Sequence, residues 1–160
     1  GKTFEENASI KALTVSRILG DGVWVLSDDS GLEVDALGGK PGVYSARYAG
    51  SGASDAENRA KLLEAIQKID SGEQSFTARF RCVMVLARGA EKISVFDGSV
   101  EGGIAETEKG EQGFGYDSIF MPDGYGETFG ELSSEVKNKM SHRGRALEQF
   151  KQWIAGKVPG

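Results

Sequence analysis

The segment Asp28-Asp29-Ser30-Gly31 sets two adjacent carboxylates directly after the apolar run Val23-Trp24-Val25-Leu26. A carboxylate at the C-terminal end of a buried strand lies where α/β folds place ligands. Paired carboxylates there suit Mg²⁺, a hard cation that takes a few carboxylates together with substrate phosphates. An aspartate can also polarise a water for attack on phosphorus. The competing reading is a polar turn, since Asp, Ser and Gly are all favoured in turns. Glu33 and Asp35 follow on an extended segment and are expected on its solvated face.

A second stretch is Gly113-Phe114-Gly115-Tyr116-Asp117. Two aromatics separated by glycine can offer a flat face, and glycine lets backbone approach a ligand. Stacking a base on such a face is worth about 1–3 kcal/mol. The same aromatics could instead plug the core of a tight loop. A third stretch is Lys137 to Arg145. Between Ser133 and Trp153, five Lys/Arg (137, 139, 143, 145, 151) stand against two Glu (135, 148), a local +3 in a chain of net charge -5. His142, the only histidine, precedes Arg143 at a predicted helix start with Ser141 as its N-cap. Backbone N–H groups, a guanidinium and an imidazole together suit an anion or a carbonyl-bearing base. A solvated basic helix end is the plainer alternative. Acids for a metal, aromatics for a base and cations for phosphate together describe a nucleoside polyphosphate site.

These groups need elements to hold them. Thr3-x-x-Glu6 is a capping-box pattern, and Phe4, Ala8, Ala12, Val15 and Leu19 recur at helical spacing up to Gly20, so a helix is predicted over 4–19. A short, fully buried strand is predicted over 23–27. Ser54-x-x-Glu57 opens a second helix over 55–69, followed by an Asp-Ser-Gly loop. Alternation predicts a strand over 76–88, one-sided at its start and buried on both faces at its end. Further strands are expected over 92–98, 103–108 and 117–121, with a glycine-broken loop before the last. Helix returns from about Ser133, with Leu147, Phe150 and Ile154 as its inner face.

The 160 residues suit a single domain with a core of its own. Net charge argues against a general nucleic-acid binder and against a basic membrane-surface protein. No apolar run approaches the ~20 residues that span a bilayer, and no secretory signal is visible. The lone Cys82 has no internal disulfide partner and reads as a buried thiol, compatible with a reducing compartment.

The segments TFEENASIKA (3–12), SDDSGLEVDALGGKPGVYSARYAG (27–50), GFGYD (113–117) and SHRGRAL (141–147) resemble, in order and spacing, the inosine/xanthosine triphosphate pyrophosphatases. The resemblance covers essentially the whole chain. It implies an α/β fold with an elongated mixed β-sheet flanked by helices, a cytoplasmic homodimer, and Mg²⁺-dependent hydrolysis of ITP, dITP and XTP to monophosphate and pyrophosphate. It also implies roles. Asp29 would bind metal and activate water, with Asp28 as its partner and Glu6 as a further metal contact. Ser30, Lys11 and Lys137 would contact substrate. Phe114, Gly115, Tyr116 and Asp117 would form the base and sugar wall, and His142 and Arg143 would read the 6-oxo group. Family members begin with a strand, a Thr/Ser-x-Asn-x-x-Lys triphosphate loop and a metal-holding glutamate, all upstream of the TFEENA segment, so the chain is expected to be N-terminally incomplete. Should that loop be essential, the expectation becomes a purine-nucleotide-binding module with impaired catalysis.

Overall fold

The computed structural model describes residues 1–69 and 76–157. The predicted Asp-Ser-Gly loop therefore lies outside the described residues. The fold is mixed α/β, with five strands in the order β2-β1-β3-β4-β5. These are β1 (Trp24–Val34), β2 (Lys40–Pro41), β3 (Phe76–Arg88), β4 (Glu91–Ile104) and β5 (Phe120–Pro122); the helices are α1 (Phe4–Leu19), α2 (Asp55–Gln67), α3 (Ser134–Met140) and α4 (His142–Lys157). β1 pairs antiparallel with β2 through Glu33↔Pro41, and β4 pairs antiparallel with β5 through Gly103↔Met121. Contacts divide the chain into two compact units.

The first unit comprises residues 1–30, 81–99 and 141–160. α1 begins and ends as predicted. The Thr3 hydroxyl accepts from the Glu6 N–H, but the capping box is only half made, because Glu6 turns its carboxylate to the Lys2 N–H. Ala8 and Ala12 of α1 pack with Val25, Val85 and Ala87. Cys82, Met84 and Leu86 pack instead with Phe96 and with Ala146 of α4. Successive β3 side chains point to opposite faces, so a helix on each face explains why this end of the strand is apolar throughout. The predicted strand 23–27 is longer and less buried than expected. It runs on through the Asp-Asp-Ser-Gly segment, and of its apolar start only Val25 is buried; Trp24 is 49% exposed. The α4 face is also rotated from the prediction. Ala146, Phe150 and Trp153 pack inward while Leu147 and Ile154 are exposed. The helical stretch from Ser133 is two helices, and the second starts at His142 as predicted.

The second unit comprises residues 31–80 and 100–140. α2 carries the complete Ser54/Glu57 capping box and buries Asn58, Leu62 and Ile66. Leu32, Val34, Leu62, Phe80, Phe120 and Phe129 belong to its core, with the Phe80 and Phe120 rings 4.6 Å apart. Two predicted strands, 92–98 and 103–108, are one strand ending at Ile104. A Cβ on Gly102 would overlap the Met121 carbonyl, so glycine here serves close strand approach. The predicted strand 117–121 opens instead as a 3₁₀ turn, Asp117–Ile119.

Candidate active site

The site residues predicted from sequence fall into two groups, one in each unit. In the first unit, Asp28, Asp29 and Ser30 lie in the middle of β1, not at its end. Asp29 is held at both oxygens by one face of α1. Lys11 Nζ lies 3.2 Å from Oδ1, and the Asn7 side-chain amide donates to Oδ2 at 3.2 Å. Lys11 also donates to the Asp28 carbonyl oxygen at 3.0 Å. Asp28 Oδ2 receives Arg143 Nη2 at 3.2 Å and the Ser30 hydroxyl at 3.4 Å. Charge-assisted contacts of this kind fix the direction of each carboxylate.

α4 brings Arg143 to Asp28. The Ser141 hydroxyl accepts from the Gly144 N–H at 3.0 Å, as an N-cap does. Gly98 of β4 sits directly beneath this first turn. A Cβ there would overlap the His142 carbonyl oxygen and the Ala146 nitrogen. His142 opens α4 and is partly buried.

Asp28 and Asp29 offer hard oxygen donors only. Among the described residues no group of three or more His, Cys, Asp or Glu gathers to hold a metal. An all-protein cage is therefore not formed by them. The pair does fit the mode typical of Mg²⁺, in which one or two carboxylates act with substrate phosphates and water. Glu6 is engaged elsewhere: its carboxyl is held below the usual carboxylate range, first by the Lys2 backbone N–H.

In the second unit, Phe114 and Tyr116 divide the two roles that the sequence left open. Phe114 is 68% exposed, whereas Tyr116 is 5% exposed and part of the core. The Tyr116 hydroxyl donates to the Ser45 carbonyl at 2.6 Å, and burial pushes its phenol well above the ordinary range. Its ring packs in the core of this unit. Asp117 is also buried; its Oδ2 accepts the Phe114 N–H at 3.0 Å and receives Lys137 Nζ at 2.5 Å. Lys137 reaches there from α3 and lies 5.0 Å from the Phe114 ring centroid. Gly113 has φ +80° and would drive a Cβ into the Asp117 carboxylate, so neither backbone nor space admits another residue.

The sequence reading missed Asn7. Its signal was present, because positions 7 and 11 are four apart and share a helix face, whereas 6 and 11 are five apart and do not. It also missed Asp55 and Arg59 of α2, which hydrogen-bond the Gly115 backbone.

A Ham1 family model matches residues 1–153. The chain belongs to the Ham1 family. It is 47% identical over 155 residues to a dITP/XTP pyrophosphatase of Listeria monocytogenes, covering 97% of this chain and 74% of that protein. It is 50% identical over 154 residues to a dITP/XTP pyrophosphatase of Geobacter sulfurreducens, covering 96% and 75%. The structure of the Staphylococcus aureus Ham1 protein superposes with a TM-score of 0.90 at 41% identity, over 99% of this chain and 79% of that one. The Ham1 match thus takes in both groups of residues described above.

Proposed function

We propose that this Ham1 chain hydrolyses deaminated purine nucleoside triphosphates, dITP, ITP and XTP, to the monophosphate and pyrophosphate. The observation that carries the reading is the Asp29 carboxylate, steered at both oxygens by Asn7 and Lys11. In the reaction a water oxygen bonds to phosphorus, the α–β phosphoanhydride bond breaks, and pyrophosphate leaves. Asp29 accepts the proton of that water. The Lys11 ammonium, at the same carboxylate, offsets negative charge as phosphate approaches. Asp28 and Asp29 are the residues that would hold Mg²⁺, which supplies Lewis-acid neutralisation of the phosphoryl oxygens. Ser30 orients Asp28 through its hydroxyl.

Phe114 offers its exposed face to the base. Lys137 holds the Asp117 carboxylate behind it. His142 and Arg143 supply donors for the purine 6-oxo group. A guanidinium carries five N–H donors, and the Asp28 contact employs one nitrogen. An amino group at position 6 would face donor with donor, a mismatch that supports large selectivity against ATP. The family likeness further leads us to propose a cytoplasmic homodimer, which sedimentation velocity would read as twice the chain mass.

A second reading is nucleotide binding without turnover. It is favoured by one observation, that both oxygens of Asp29 are already engaged, by Asn7 and Lys11. The test is Asp29→Asn, followed by phosphorus NMR of ITP hydrolysis. The first reading predicts loss of pyrophosphate release by about 10²–10⁴-fold with an unchanged melting temperature. Turnover retained by Asp29→Asn removes the role given to that residue.

A further inference from the structure

Phe114 is the most exposed ring of its loop, so packing of its own side chain does little to hold it. Its backbone is held instead: Asp117 accepts the Phe114 N–H at 3.0 Å and donates its own N–H to the Phe114 carbonyl at 3.1 Å, and both polar groups of the next residue, Gly115, are held by one helix. The Gly115 N–H donates to Asp55 Oδ2 at 2.9 Å, and the Gly115 carbonyl accepts from Arg59 Nη1 at 2.7 Å. Asp55 and Arg59 are four apart in the first turns of α2, so their side chains rise from one face. The Arg59 guanidinium is mostly buried and also pairs with Glu108, which in turn accepts the Ser118 hydroxyl at 3.0 Å. The loop is thereby braced at Gly115 and at its two ends.

The brace matters because packing does not replace it. Asp55, Arg59, Glu108, Phe114 and Gly115 line a cavity of about 370 Å³, into which an unbraced loop could relax. Gly115 itself sits at φ +58° with nothing within 4 Å of a would-be Cβ. Hydrogen bonds to its peptide groups, not contacts with a side chain, select this conformation.

We propose that Asp55 and Arg59 are positioning residues that preset the Phe114 ring for the purine base. The inference rests on the reading of Phe114 as the base-stacking residue. A ring ordered before binding spares the ligand that ordering cost, so the brace tunes affinity for the base end of the nucleotide and not for its phosphates.

The test is calorimetric binding of two probes to the intact chain: IMP, which carries base and sugar, and inorganic pyrophosphate with Mg²⁺, which carries neither. Phe114→Ala is expected to weaken IMP binding by roughly 5-fold or more. Arg59→Gln and Asp55→Ala are each expected to weaken it by about 3–10-fold, and Asp55→Asn, which keeps an acceptor oxygen, to restore most of the loss. Pyrophosphate affinity should stay within about 2-fold throughout, and Arg59→Gln should add nothing in a Phe114→Ala background. If Phe114→Ala leaves IMP binding unchanged, the base-wall reading falls and the inference falls with it. If Phe114→Ala weakens IMP binding but Arg59→Gln and Asp55→Ala do not, the inference alone is overturned. Equal weakening of IMP and pyrophosphate by the α2 variants overturns it too, since that is the mark of general unfolding. Should Arg59→Gln fold poorly, Asp55→Ala against Asp55→Asn decides the question in the same way.

Discussion

Asn7 donates its side-chain amide to Oδ2 of Asp29 at 3.2 Å, one helical turn before Lys11 reaches Oδ1 of the same carboxylate. One face of α1 therefore fixes the direction of the group proposed to take a proton from water. Replacing Asn7 by Ala removes a hydrogen bond to a charged group, typically worth about 1.5–3 kcal/mol. The expected outcome is a fall in kcat of about 10-fold or more with a small change in KM for ITP. Steady-state kinetics on the folded variant would show it. An equal rise in KM with kcat unchanged would assign Asn7 to ground-state binding instead.

Lys137 and Asp117 form the most enclosed ion pair near the loop, with side-chain exposures of 18% and 7%. Removing only the lysine leaves a buried carboxylate with the Phe114 N–H but without its cation. Lys137→Met should therefore cost about 3 kcal/mol of stability in a urea melt. Adding Asp117→Asn to Lys137→Met should recover part of that cost, because the uncompensated charge is gone. A double variant less stable than the single one would contradict this account of the pair.

Gly98 supports the first turn of α4 by leaving room for it. Gly98→Ala would push on the His142 carbonyl and the Ala146 nitrogen, both backbone atoms that cannot swing aside. We expect a loss of about 1–3 kcal/mol, as for overpacking in a core. We also expect discrimination between ITP and ATP to fall, since His142 and Arg143 ride on that turn. Thermal melts and a two-substrate comparison would check both.

Asp35 makes two contacts with Arg79, at 2.9 and 3.1 Å, and accepts the Thr77 hydroxyl at 2.7 Å. Its carboxyl is held below its ordinary value of 3.8, first by Arg79 and then by Thr77. A folded-state value below the unfolded one adds stability that is present above the unfolded value and is lost as pH falls through the folded one. The Asp35 side chain is 45% exposed, so solvent screening keeps the effect small. Asp35→Asn should cost about 0.5–1 kcal/mol at pH 7. The gap between variant and parent should close as pH drops below about 4. A gap that widened in acid would contradict the assignment.

Much of this was legible in the sequence, for identifiable reasons. The bounds of α1 were readable because a hydroxyl cap, a helical stripe and Gly20 agree with one another. The bounds of β3 and its change from one buried face to two followed from alternation alone. What failed to show depends on partners distant in sequence. The exposure of Trp24 follows from which side chain of β1 meets α1. Continuity of β4 through Gly102 depends on Met121 approaching it. The inner face of α4 keeps Phe150 but takes Ala146 and Trp153 in place of Leu147 and Ile154, because β3 and β4 meet it through Cys82, Met84, Leu86 and Phe96. In the site, Phe114 and Tyr116 look alike in sequence, and only Ser45 and the core cluster separate their roles. Glu33 and Asp35 were read as solvated; Asp35 is indeed partly exposed, but it is bound to Arg79.

The most direct test is pyrophosphate release from ITP, XTP, ATP and GTP by this 160-residue chain, with and without Mg²⁺. The account predicts release from ITP and XTP but not from ATP, and only with the metal; GTP, which shares the 6-oxo group, shows whether position 2 is read as well. Binding of ITP without release from any of the four nucleotides would contradict the catalytic reading and leave a purine-nucleotide-binding module in its place.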